Sequence, residues 1–153
     1  MAKTFQFDIT TPERTVFNQA VAQVSLPTSS GEITILPNHI PIVSLLVPGV
    51  LRIINPDGVE EILAVSGGFI EVHGSKVTVL ADTAERADEI DEARAEAARK
   101  KAEQAMKDKT DTVKFTDAAS SLERHLARLS AIRRRKQRYH RPKDAHTPSP
   151  IQE

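Results

Sequence analysis

Cysteine is absent from the 153 residues, which excludes a disulfide framework and any Cys-ligated metal site. A charged-then-apolar leader is also missing from the N-terminus. The most apolar stretch, residues 40–54, is broken by Pro41, Pro48, Gly49 and Arg52, so the chain is expected not to cross a membrane and to stay in the compartment where it is made. No glycine-rich phosphate loop is found. The nearest approach, Gly68 through Gly74-Ser75-Lys76, has the wrong spacing and order for one. His39, His73, His125, His140 and His146 are scattered, with no i, i+4 pair and no acidic partner at ligand spacing, which argues against a metal site. No catalytic constellation emerges: Ser66, ahead of Gly67-Gly68, reads as a turn residue rather than a nucleophile.

What is present divides the chain. Lys+Arg and Asp+Glu number 21 each, but residues 1–84 carry 4 basic and 8 acidic groups, residues 85–112 carry 7 and 9, and residues 113–153 carry 10 and 4. A zero net charge therefore hides an acidic first half and a basic end. Composition shifts between Ala81 and Asp88, so the expected organisation is a β domain over residues 1–84, a helical hairpin over 85–138 and a disordered, Pro-rich tail over 139–153.

From Thr4 to Leu80, apolar residues alternate or come in short runs, the pattern of half-buried antiparallel strands. The strands expected are Phe5 to Thr10, Arg14 to Phe17, Ala20 to Leu26, Gly31 to Ile35, Ile42 to Val47, Val50 to Ile54, Glu60 to Val65, Gly68 to His73 and Lys76 to Leu80, punctuated by Pro12-Glu13, Pro48-Gly49, Asn55-Pro56-Asp57-Gly58 and His73-Gly74-Ser75. They imply a sandwich or flattened barrel. Gly67-Gly68 suggests either a bulge or a close backbone approach.

After Asp82 the helix formers Glu, Arg, Lys and Ala take over through Lys109. Asp108 to Thr116 reads as a polar connection, with Thr116 or Asp117 capping a second helix to about Gln137. That helix shows a seam at Ala118, Leu122, Leu126 and Leu129. The first offers mainly Ile90, Ala93, Ala97, Ala98, Ala102, Ala105 and Met106. An alanine methyl contributes roughly 0.8 kcal/mol where a full aliphatic side chain contributes roughly 1.5–3, so the hairpin is expected to dock weakly and to be open to control by a ligand or partner. An ordinary close-packed alanine hairpin with one state is the alternative.

Two basic groups remain. Arg124 and Arg128 share a helical face, and Arg94 on the first helix can meet them beside Asp91. Such a cluster suits either a polyphosphate or plain salt-bridging with Glu123 and Glu96. Farther on, Arg133-Arg134-Arg135-Lys136 with Arg138, Arg141 and Lys143 forms a cationic end fit for an acidic protein, an anionic lipid or a nucleic acid. Tyr139 is the one aromatic residue there, which weakens the case for single-stranded nucleic acid.

The run Phe7-Asp8-Ile9-Thr10-Thr11-Pro12-Glu13, then Val16-Phe17, Leu26-Pro27 and Gly31-Glu32-Ile33-Thr34-Ile35-Leu36-Pro37-Asn38-His39, resembles the opening of bacterial ATP synthase epsilon subunits. So do Pro48-Gly49-Val50-Leu51, Ala64-Val65-Ser66-Gly67-Gly68-Phe69-Ile70-Glu71-Val72 and Val77-Thr78-Val79-Leu80-Ala81-Asp82, in the same order. The resemblance spans residues 4–138. It implies an α+β protein: a ten-stranded antiparallel β sandwich followed by a two-helix antiparallel hairpin. The function it implies is that of a noncatalytic, F-type central-stalk subunit that couples proton transport to ATP synthesis. Partners would be the gamma subunit and the c-ring, with contacts at Pro37, Asn38, His39, Ser66, Gly67 and Gly68. An extended hairpin would reach the alpha and beta subunits, where Arg133, Arg134 and Arg135 meet acidic segments and ATP hydrolysis is inhibited. The compact hairpin would hold a regulatory ATP at Glu85, Ile90, Asp91, Arg94, Ala95, Arg124 and Arg128, with no cofactor required and no metal. The implied location is peripheral, on the cytoplasmic face of the bacterial plasma membrane, touching the membrane only through the complex and binding no nucleic acid. The competing reading is a module that uses the basic second helix to bind nucleic acid or anionic surfaces. Thr28 and Thr34 stand where the family often has glycine, and the tail after Gln137 is longer than usual.

Overall fold

The structure is a computed structural model that describes residues 3–107 and 111–139. Eight strands come first: β1 (Phe5–Thr10), β2 (Thr15–Val21), β3 (Gln23–Thr28), β4 (Gly31–Ile35), β5 (Ile42–Leu46), β6 (Gly49–Ile54), β7 (Glu60–His73) and β8 (Lys76–Arg86). Two helices follow, α1 (Glu92–Ala105) and α2 (Thr112–Tyr139). The β sandwich with a C-terminal helical pair is as the sequence implies, but the strands number eight instead of ten because β7 and β8 are long. β7 has β8 along one side from Leu63 to His73; on the other it pairs with β6 through residues 60–65 and with β5 through 68–72. Each long strand thus serves both layers.

The changeover lies at Gly67-Gly68. Register between β7 and β8 runs unbroken past it, so the glycines mark a close approach and not a bulge. Gly68 has φ +120°, and a Cβ there would sit 2.0 Å from the Leu80 carbonyl oxygen, which only glycine avoids. At the other misplaced break, β2 and β3 are parted at Ala22, whose N–H donates to Ile54 O at 2.8 Å.

Period-two alternation fills the interior. Phe7, Ile9, Leu26, Ile35, Leu51, Ile53, Leu63 and Ile70 are fully buried, and Phe7 meets Phe17 with ring centroids 5.7 Å apart. β1 lies between β2, antiparallel, and β8, parallel.

α1 starts where Asp91 caps it, Oδ1 accepting from Arg94 N at 3.0 Å. α2 starts earlier than expected. Asp111 Oδ1 accepts from Val113 N at 3.1 Å and Lys114 N at 3.2 Å, while the Thr116 hydroxyl donates back to Thr112 O at 2.9 Å inside the helix. The expected connection therefore shortens to its first residues, of which 108–110 lie outside the described residues, as does the expected disordered tail beyond Tyr139.

The hairpin is compact, with α2 packed against α1 on one side and against β6 and β7 on another. Serving two neighbours shifts its buried face. The buried residues of α2 are Ala118, Ala127, Ala131 and Ile132, whereas Leu126, expected in the seam, is 44% exposed. On α1 only Ala95 and Ala102 are buried, and Ala93, Ala97 and Ala105 face outward. Ala131 is wholly buried in a cluster with Ile62, Ala64 and Ala87. Small side chains let the helix lie close to the sheet, but each contributes little apolar burial.

Candidate functional site

A cleft of about 410 Å³ opens where β8, the turn before α1 and α2 converge, lined by Glu85, Glu89, Ile90, Asp91, Arg94, Ala95, Ala98, His125 and Arg128. Glu85 reaches it because β8 continues past the sandwich to Arg86. Ile90, Asp91, Arg94 and Ala95 arrive together because Asp91 fixes the first turn of α1. His125 and Arg128, three residues apart, lie on one face of α2.

Arg128 is already engaged. Its Nε donates to Glu85 Oε2 at 2.5 Å and its Nη2 to Glu85 Oε1 at 2.8 Å, the parallel fork that guanidinium and carboxylate planes favour. Its Nη1 lies 3.1 Å from His125 Nδ1, so the neutral imidazole accepts a third hydrogen bond. Burial first, then the Arg128 and Arg124 guanidiniums, hold His125 below the usual imidazole range, and Glu85 pulls the other way.

Of the seven residues suggested for a nucleotide, the cleft gathers Glu85, Ile90, Asp91, Arg94, Ala95 and Arg128, but Arg124 is exposed and not part of its lining. Two guanidiniums converge, not three. Sequence reasoning passed over Glu89, Ala98 and His125; the i, i+3 spacing of His125 to Arg128 was the available signal. Nor does Arg128 pair with Glu123 or Glu96: Glu96 belongs to Arg99, 2.6 Å away on the same helix.

The contact residues fall elsewhere. Asn38 takes φ +66° in a loop where His39 N donates to Leu36 O at 3.1 Å and His39 Nδ1 lies 2.7 Å from Ile40 O. Ser66 is buried, its hydroxyl 2.5 Å from that of Thr83, which places it inside the sheet. Next to Gly68, however, Phe69 is 54% exposed, and its cross-strand partners Leu45 and Leu80 are 51% and 56% exposed. Val43, two residues before Leu45 on β5, extends this apolar outer face, and Ile40 in the preceding loop is exposed as well; no charge or turn motif announces the face. Arg133, Arg134 and Arg135 are exposed on the last turns of α2. Nearby, Lys136 Nζ donates to Glu92 at 2.6 Å and Arg138 bonds to the Glu60 backbone carbonyl.

Residues 4–87 match the family model of the ATP synthase delta/epsilon chain β-sandwich domain, and residues 88–133 that of the ATP synthase delta/epsilon chain long α-helix domain. The ATP synthase epsilon chain of Herpetosiphon aurantiacus is 47% identical over 133 residues, covering 87% of this chain and 97% of its own length. That of Nitrosococcus oceani is 42% identical over 134 residues, covering 88% and 96%. In fold, a chain of the Euglena gracilis mitochondrial ATP synthase cryo-EM structure superposes with a TM-score of 0.71 at 22% identity, covering 90% of this chain and 82% of that one.

Proposed function

The chain belongs to the ATP synthase delta/epsilon chain family, and on that premise we propose that it is the epsilon subunit of an F-type enzyme: a noncatalytic part of the central stalk whose hairpin restrains ATP hydrolysis. The observation that carries the regulatory part is the manner of docking. α2 is held through buried alanines and Ile132, through ion pairs to the sandwich from Arg128 to Glu85 and Arg138 to Glu60, and through one to α1 from Lys136 to Glu92. Exposed or half-exposed pairs contribute about 0–1 kcal/mol each, and methyl contacts roughly 0.8, so compact and extended poses lie close in free energy.

In this reading the apolar face at Leu45, Phe69 and Leu80 docks on the gamma subunit, with the Pro37-Asn38-His39 loop at its margin toward the c-ring. Contiguous apolar surface of this kind fits a permanent neighbour. Once released, α2 brings Arg133, Arg134 and Arg135 to acidic segments of the beta subunits, within the ring they form with alpha. ATP in the cleft, on Arg94 and Arg128, favours the compact pose by RT ln(1 + [ATP]/Kd). No helix among the described residues is long and apolar enough to cross a membrane. As part of the central stalk its proposed place is peripheral, on the cytoplasmic face of the bacterial plasma membrane.

Reconstitution tests this. The full chain should form a stoichiometric complex with gamma, and a version ending at Asp88 should assemble yet leave hydrolysis faster. Retention on nucleic acid with a steep salt slope and no affinity for gamma would instead favour the basic-helix module.

A further inference from the structure

We propose that His125 takes up a proton when a polyphosphate enters the cleft, so that anion binding and closure of the hairpin are linked to pH; this rests on the reading of the cleft as a nucleotide site. The charges facing the imidazole come from every neighbouring element. β8 supplies Glu85, the turn before α1 supplies Glu89 and Asp91, α1 supplies Arg94, and α2 supplies Arg128 with Arg124 one turn earlier. The lining thus carries three carboxylates against two guanidiniums, and one of those guanidiniums is already forked onto Glu85.

A triphosphate adds several negative charges to a site that is not cationic to begin with. Some positive charge must come with it. The carboxylates are not grouped as a metal-ligand set, since among the described residues no three His, Asp or Glu side chains are placed to hold an ion. The imidazole is the lining group that can change its charge near neutrality. It stands 3.1 Å from Arg128, so a phosphate oxygen that draws Arg128 off Glu85 comes within reach of the same ring. Protonated, His125 becomes a second donor to that anion. The proton comes from solvent, and no covalent bond changes.

Empty and occupied clefts then respond to acid in opposite senses. With the cleft empty, the imidazole is held below its ordinary value by burial and by the two arginines. Its contribution to the closed hairpin is therefore complete above about pH 6.5 and weakens as pH falls below that. With a polyphosphate bound, the neighbouring anion favours the charged ring, and acid tightens binding.

The test is a calorimetric titration of the full chain with ATP, and separately with inorganic tripolyphosphate, between about pH 6 and pH 8 in buffers of differing ionisation enthalpy. Protonation of the ligand is common to every protein compared, so His125→Gln isolates the side chain. Relative to His125→Gln, the parent should gain roughly five- to tenfold in affinity from the alkaline to the acid end, with proton uptake that the variant lacks. The His125 ring resonances of the unmodified chain, followed by NMR, should titrate at higher pH with ATP than without. Identical pH profiles for the two proteins, or ring resonances that titrate alike with and without ligand, overturn the proposal while leaving the nucleotide site standing. If neither ligand binds, or if Arg94→Ala and Arg128→Ala bind as well as the parent, the site itself is wrong and the proposal falls with it.

Discussion

Arg128 of α2 and Glu85 of β8, 43 residues apart, meet as a two-bonded fork with contacts of 2.5 and 2.8 Å. The pair joins the hairpin to the sandwich at the mouth of the cleft, where a ligand anion would compete for the same guanidinium.

Removing the carboxylate should therefore loosen the hairpin without harming the sandwich. Glu85→Gln is expected to weaken docking of α2 by about 1 kcal/mol, since the pair is only partly shielded from water. Amide exchange in α2 should quicken about fivefold, with the strands unchanged.

Ala131 has no room to grow. It is wholly buried against Ile62, Ala64 and Ala87, so Ala131→Leu is expected to push α2 off the sheet at a cost of about 1–3 kcal/mol. The sandwich should keep its own thermal transition while the helices become protease-sensitive.

How far the sequence discloses all this depends on how local the cause is. Alternation such as Phe5, Phe7 and Ile9, or Val77, Val79 and Ala81, is a property of single strands, and it marks the sandwich plainly. The continuity of β7 through Gly67-Gly68 is not local: glycine reads as a stop, and only pairing with β8 keeps the strand going. The same holds for α2. Leu126 looks like core on its own helix, yet packing against both α1 and the sheet buries Ala127 and Ala131 instead because of how the helix is rotated. That rotation also brings His125 into the cleft and leaves Arg124 outside, although both stand at helical spacing from Arg128.

Acid should act on the sandwich through Asp8. The Lys76 ammonium, 2.8 Å from Asp8 Oδ2, holds its carboxyl below the usual range; burial opposes this and Gln6 assists. A depressed carboxyl contributes stability above its unfolded value near about 3.9 and loses it as pH falls through the folded value. Asp8→Asn is expected to cost about 1 kcal/mol at neutral pH and to show a shallower loss on acidification, read from urea midpoints at about pH 7 and pH 3.

Phe69 is the surface counterpart. With over half its area in water, Phe69→Ser should leave thermal stability within about 0.5 kcal/mol of the parent. Affinity for gamma should fall at least tenfold by titration, about the 1.4 kcal/mol or more that an aromatic anchor supplies.

The most direct test of the central claim, that the hairpin is held shut by methyl contacts and ion pairs weak enough for other molecules to release, is hydrogen exchange on the full chain with and without ATP. Amides of α1 and α2 should exchange orders of magnitude faster than those of β1, β7 and β8, and should slow when ATP is added. Helices as firmly protected as the strands, and indifferent to nucleotide, would contradict the account.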